Sequence, residues 1–311
     1  ESTAATMFEN GELDQYQPTG DYAIKFEKEA EEGKYQYMVT DYPGTIGLRF
    51  NFINGGTSGL MSNVKIRKAI SYSIDREEMI DAVYGRYNPA YSYVAPAITF
   101  NGSSYRDQVG EIMEDEYNEY VGDPDKIVAL FQEGLDELGV ETPIEDITLT
   151  YLTSGSTTEV QAEREYIQQS LEETLGLTVE LSVAGDTSLF IADRNEGNYD
   201  FFLGGWYSDY NDPLDFLYTN YTDAYGMSFG GYSNTDYDAL ADQLVGETDM
   251  DKRLDIYKQM EQILLLDDCA FAPIYYATKQ VLLQNWVKDY RTSSFGASAE
   301  FIWTYIDGKN Q

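Results

Sequence analysis

The apolar positions of the chain change period several times, and each change marks an element. Ala4, Ala5, Met7, Phe8 and Leu13 recur at helical spacing over residues 3–13, with Gly11 breaking the pattern. Two β-rich runs follow, Tyr35 to Thr40 and Ile46 to Phe52, which read as strands separated by a turn at Tyr42-Pro43-Gly44. Asn63 caps a helix with Val64, Ile66, Ala69, Ile70 and Ile74 on its apolar face, and Asp75 starts another through Met79, Ile80 and Val83 to Tyr84, stopped by Gly85. Asp123-Pro124 is an N-cap followed by proline at the first helical position. The helix it opens holds Ile127, Val128, Leu130, Phe131, Leu135 and Leu138 before Gly139.

From here helix and strand alternate. Strands are predicted at Ile147 to Leu152, Leu177 to Val183 and Tyr199 to Leu203, with a helix at Thr158 to Leu175 stopped by Gly176. That rhythm belongs to a sheet covered by helices, so the middle of the chain is expected to be an α/β lobe. Helices follow from Asn234 to Leu244 and from near Asp249 to Leu266, then strands at Phe271 to Ala277 and Gln280 to Leu283. Phe295 to Ile306 is expected to be a closing strand or loop packed on the segment before residue 50, since both tails are too short for a core of their own.

Composition narrows the function. With 311 residues, 42% of them hydrophobic and 14% aromatic, the chain can bury real cores and is not disordered. Its 55 acidic against 20 basic residues give a net charge of -35, a field that repels phosphate backbones and anionic lipid, so no nucleic-acid partner is expected. The chain has no histidine, which removes the commonest general base, His-dependent nucleophilic triads and His-containing zinc sites. Its single cysteine, Cys269, lies against the apolar Ala270-Phe271-Ala272 and reads as a buried structural thiol. No apolar run approaches the ~20 residues that span a bilayer. The chain opens Glu1-Ser2-Thr3 without an initiator Met or a signal-peptide core, and is expected to be cut from something longer.

Catalytic motifs fail one by one. Gly226-Met227-Ser228-Phe229-Gly230 matches a G-x-S-x-G nucleophile elbow, but Ser228 would need a base that a chain without histidine does not offer. In an EF-hand register Asp209 and Asn211 fit positions one and three, whereas Pro213 occupies the fifth and Leu214 stands where glycine is needed; an irregular calcium site stays open. Paired carboxylates for a glycosidase have no specificity in so acidic a chain, and no phosphate-binding glycine motif occurs. The expectation is a non-enzyme with no catalytic residue, metal or cofactor.

The segment Gly204 to Pro213 has the most physical character. Two glycines let another backbone approach the end of a strand, Trp206 follows, and Asp209 stands in a loop with Tyr207, Ser208, Tyr210, Asn211 and Asp212. An open strand end beside a carboxylate would hold an extended peptide by strand addition and pair with its α-ammonium. The same residues also read as plain structure: Trp206 in the core, the glycine pair a bulge, Asp209 a turn former.

Tyr199 to Trp206 together with Asp209-Tyr210-Asn211-Asp212-Pro213 resembles the binding-site segment of the peptide- and nickel-type extracellular solute-binding proteins of ABC importers. Val64 to Glu77, Gly231-Tyr232-Ser233-Asn234 with Tyr237-Asp238, and Arg253 to Leu266 leading into Ala272-Pro273-Ile274-Tyr275-Tyr276 are similar to that family in the same order. The resemblance implies a periplasmic-binding-protein-like two-lobed clamp. Residues 1–49 would be part of lobe one, 50–280 a complete α/β lobe two, and 281–311 a return to lobe one, with hinges near Phe50-Asn51 and Tyr276-Lys279. It implies a monomer outside the cytoplasmic membrane, lipid-anchored or periplasmic, that passes oligopeptides to a permease. Gly205, Trp206, Tyr207, Ser208, Asp209, Tyr210, Asn211 and Asp212 would be the ligand-binding residues, with Asp209 on the ligand ammonium. Some members place an arginine ahead of the tryptophan; here Leu203, Gly204 and Gly205 stand there. A non-peptide solute such as a metal chelate or glycoside remains the alternative ligand.

Overall fold

The computed structural model describes residues 2–222, 229–295 and 299–309. Gly226, Met227 and Ser228 of the elbow pattern lie outside the described residues.

Two long strands organise the chain. The central strand, Gln36–Phe50, runs antiparallel to the return strand, Phe271–Leu283, from Gln36 opposite Leu283 to Arg49 opposite Phe271. The predicted turn at Tyr42-Pro43-Gly44 is thus not a turn. The pairing shifts register between Asp41 and Thr45, and Pro43, which has no N–H for the ladder, is tolerated at this irregularity. The two strands expected at 271–277 and 280–283 are likewise one, because Thr278 and Lys279 stay paired with Asp41 and Thr40.

These strands lie inside a mixed seven-stranded sheet. Its order is Gln15–Tyr16, the return strand, the central strand, Phe201–Tyr207, Thr148–Ser154 and Thr178–Ala184, with Asn88–Pro89 alongside the return strand. The last three run parallel and are joined by helices Thr158–Leu175 and Thr187–Glu196. The α/β architecture expected from the helix–strand rhythm is therefore present.

The helix starts follow capping chemistry. The side chains of Asn63, Asp75, Asp123 and Asn234 each accept a main-chain N–H of the first turn, and Gly139 and Gly176 end their helices in left-handed conformation. The first helix is shorter than its apolar spacing suggests, Ser2–Glu9, since Gly11 has φ 74°. The helices after Asp75 and Asp249 continue as π-helical turns, Ile80–Tyr84 and Ile263–Asp267. Helices Asp21–Glu31 and Thr187–Glu196 were not predicted; the second buries none of its residues, so it has no apolar stripe to read.

Large apolar clusters cover the sheet between residues 46 and 276, one around Leu48, Ile66, Phe131 and Leu149, the other around Tyr93, Phe216, Tyr257 and Phe271. Smaller ones gather Phe8, Tyr16, Phe26 and Tyr35 with Leu282, and Val281 and Leu283 with Val287 and Tyr290. Near the end of the chain Tyr305–Ile306 pairs with Val287–Lys288 and not with a strand before residue 50, although Ser294 Oγ donates to the Asp41 carbonyl at 3.1 Å and Lys309 reaches Asp14 at 2.6 Å. Phe301, Ile302 and Trp303 remain exposed.

The Val64 to Glu77 stretch is used structurally. Arg76 is fully buried without a carboxylate partner among the described residues: its guanidinium donates to the carbonyls of Ala90, Pro273, Ser71 and Ile74 and lies 4.2 Å from the Tyr117 ring. This ties the helix to the return strand. Cys269 is buried, and burial pushes its thiol up to about 11 against the pull of Arg67.

Candidate functional site

The parallel strands Thr148–Ser154, Thr178–Ala184 and Phe201–Tyr207 end at one edge of the sheet, where helices Thr158–Leu175 and Thr187–Glu196 begin. In sheets of this kind the crevice outside the carboxyl ends of the strands is the usual ligand position. The site strand, Phe201–Tyr207, pairs with the central strand along its whole length, from Gly44 opposite Tyr207 to Phe50 opposite Phe201. On its other side it meets Thr148–Ser154 only at Tyr151–Phe201 and Leu152–Phe202. Residues 203–207 therefore leave one edge unpaired among the described strands. Alternate residues of such an edge direct N–H and C=O groups outward.

Gly205 serves the sheet. A Cβ there would come 1.9 Å from the Thr45 carbonyl oxygen, so the backbone that its missing side chain admits is that of the central strand. Gly44 opposite makes room for the Tyr207 ring. Trp206 is half-buried, and its Nε1–H donates to Asp215 Oδ2 at 2.8 Å. Tyr207 is exposed at the strand end, tilted against Tyr42 with ring centroids 5.7 Å apart.

The loop beyond is fastened residue by residue. Ser208 N–H donates to the Pro43 carbonyl at 2.7 Å, and its hydroxyl to the Tyr210 carbonyl at 2.6 Å. The Asn211 amide is occupied at both ends by Thr99, accepting from its N–H at 2.8 Å and donating to its hydroxyl at 2.7 Å. Asp212 caps the helix Pro213–Leu217 through the Leu214 N–H and accepts the Tyr257 hydroxyl, both at 2.9 Å. Tyr257 in turn accepts from Arg253. Tyr210 is exposed.

Asp209 differs from its neighbours. Its N–H donates to Asp215 Oδ2 at 2.9 Å, whereas its carboxylate accepts no hydrogen bond and joins no ion pair among the described residues, and the residue is exposed. A carboxylate held out on a fixed backbone, next to an unpaired strand edge and a tryptophan, is chemically able to accept a cation.

Tyr207 also borders a cleft of about 470 Å³ lined by Thr19, Tyr42, Arg86, Tyr87 and Lys279. Its lining residues include two cations and no carboxylate, against the acidic balance of the whole chain. Arg86 is clamped by Glu159 from helix Thr158–Leu175; burial pulls its guanidinium down, but Glu159 and Tyr87 together hold it above its ordinary range. Burial lowers Lys279. One turn beyond Glu159, burial pushes the Glu163 carboxyl up to about 7; the Tyr84 hydroxyl bonded to it opposes that rise and Glu159 adds to it. Neither cation was assigned to a site from the sequence, Lys279 figuring only as one end of an expected hinge, because only the tertiary fold brings residues 19, 86, 207 and 279 together. Asp215 also went unnoticed: an acidic residue in the first turn of a helix is ordinary.

Residues 1–228 match the family of bacterial extracellular solute-binding proteins, family 5 Middle. The chain is 28% identical over 286 residues to the dipeptide-binding protein DppE of Bacillus subtilis, covering 91% of this chain and 48% of that protein. It is 30% identical over 234 residues to the oligopeptide-binding protein OppA of the same organism, covering 74% of this chain and 39% of that one. Among solved structures, Listeria monocytogenes OppA bound to peptide superposes with a TM-score of 0.76 at 28% identity, over 98% of this chain and 56% of the other. The chain thus spans about half the length of the relatives it matches.

Proposed function

The chain belongs to the bacterial extracellular solute-binding proteins, family 5, and from that premise we propose that it captures oligopeptides outside the cytoplasmic membrane and presents them, as a monomer, to the permease of an ABC importer. The observation that supports a peptide is the exposed Asp209 carboxylate, unpartnered among the described residues and set at the end of a strand with an unpaired edge. The ligand lies extended along residues 203–207, bonded through its main chain, with its α-ammonium on Asp209 at the Tyr207 end and its far end towards Leu203. Main-chain contacts are common to all peptides, so side-chain preference is broad. Trp206 and Tyr207, on opposite faces of the strand, flank the first residues of the ligand with aromatic surface.

Capture is completed by closing two lobes about a hinge. The hinge lies where the central strand shifts register, Asp41 to Thr45, facing Tyr276 and Thr278 of the return strand. We favour this position over Phe50-Asn51, where Phe50 is fully buried and the Asn51 amide donates to the carbonyls of Gly197 and Tyr199 at 2.8 and 2.9 Å. Calorimetric titration of the whole protein with a mixed set of di- to octapeptides tests the reading. Saturable tight binding supports it. No binding at any length moves the function to a non-peptide solute.

A further inference from the structure

The Asp209 carboxylate faces outward although a loop aspartate commonly folds back onto main-chain N–H groups nearby. Here several of the nearby donors are engaged elsewhere. The N–H of Asp209 itself goes to Asp215 Oδ2, that of Leu214 to Asp212 and that of Ser208 to the Pro43 carbonyl. Asp215 is 1% exposed on helix Pro213–Leu217, and its single oxygen Oδ2 receives both the Asp209 N–H at 2.9 Å and the Trp206 indole N–H at 2.8 Å. One buried carboxylate oxygen thus joins the end of the site strand to the loop and fixes the main chain of Asp209.

We propose that Asp215 is the positioning residue of the ammonium site, holding Asp209 and Trp206 in one geometry so that the Asp209 carboxylate stays free for the ligand. The inference rests on the reading of Asp209 as the ammonium anchor. Asp215 does not touch the ligand; it acts through the two residues that do. A charge-assisted bond shared by two donors keeps both more rigid than either would be alone, and a site loosened by its supporting groups loses specificity before it loses affinity for the rest of the ligand.

The test compares an unmodified peptide with its N-acetylated form on the whole protein, for the wild type, Asp215→Asn and Asp215→Ala, with Asp215→Ser in reserve should the alanine variant not fold. The wild type is expected to prefer the free ammonium. In Asp215→Ala that preference falls by about tenfold or more, while the acetylated peptide, which still uses Trp206, loses clearly less affinity than the free one. Asp215→Asn, which keeps an acceptor oxygen at the same place, retains most of the preference. A wild-type preference preserved in Asp215→Ala overturns the inference, as does a loss that is equal for both peptides. A wild type indifferent to acetylation overturns the reading of Asp209 itself, and the role of Asp215 with it.

Discussion

Glu261 and Arg106 form an ion pair at 2.7 Å with both side chains withdrawn from solvent, between helix Met250–Gln262 and the short helix Tyr105–Val109. The carboxylate is fully satisfied: Oε1 also accepts the N–H groups of Tyr93 and Val94, and Oε2 the hydroxyl of Tyr105. Removing one partner of such a pair leaves a buried charge and several donors unpaired. Glu261→Ala is therefore expected to destabilise the fold by about 3–5 kcal/mol in urea denaturation, and a loss under about 1 kcal/mol would contradict this account.

Glu163 makes stability depend on pH. Its carboxyl titrates near 7 in the folded chain because burial disfavours the charge, against an ordinary value of 4.5. Between these values the folded state keeps a proton that the unfolded state has released, so the contribution is complete below 4.5 and is lost as pH rises through 7. The loss is on the order of 3 kcal/mol. Glu163→Gln keeps an acceptor for the Tyr84 hydroxyl but cannot ionise, so its denaturation midpoint should fall less between pH 5 and pH 8 than that of the wild type. Equal pH dependence in both proteins would contradict the assignment.

Gly204 and Gly205 are adjacent yet should respond differently to alanine. A Cβ on Gly205 meets main-chain atoms of Thr45 and Ile46, which cannot move without opening the sheet, whereas one on Gly204 meets the Phe202 ring at 2.8 Å. Gly205→Ala should lower stability by at least about 2 kcal/mol, and Gly204→Ala by less, since a ring can shift where a ladder cannot. Thermal denaturation of the two variants side by side decides it; an equal effect would mean that the central strand yields as easily as a side chain.

The elements readable in the sequence were those with a local cause. Asn63, Asp75, Asp123 and Asn234 are caps whose donors lie within a few residues, so the helices they open were placed correctly. Pro43-Gly44 misled because proline and glycine together usually mark a turn; a register shift inside a long strand depends on the partner strand, which local pattern does not contain. At the site, Asp209 stood out through the glycines and tryptophan before it. The grip of Asp215 on Trp206, the Asn211–Thr99 contact and the approach of Arg86 and Lys279 to one cleft arise from residues distant in space or unremarkable in type.

The most direct measurement is a two-by-two binding cycle on the whole protein: wild type and Asp209→Ala, each titrated with one peptide in free and N-acetylated form. If Asp209 receives the ligand ammonium, Asp209→Ala weakens the free peptide by roughly 2–5 kcal/mol and leaves the acetylated peptide almost unaffected, so the two changes are strongly non-additive. An equal loss for both peptides, or none for either, would contradict the central claim and leave a family 5 binding protein whose ligand is held elsewhere in the cleft.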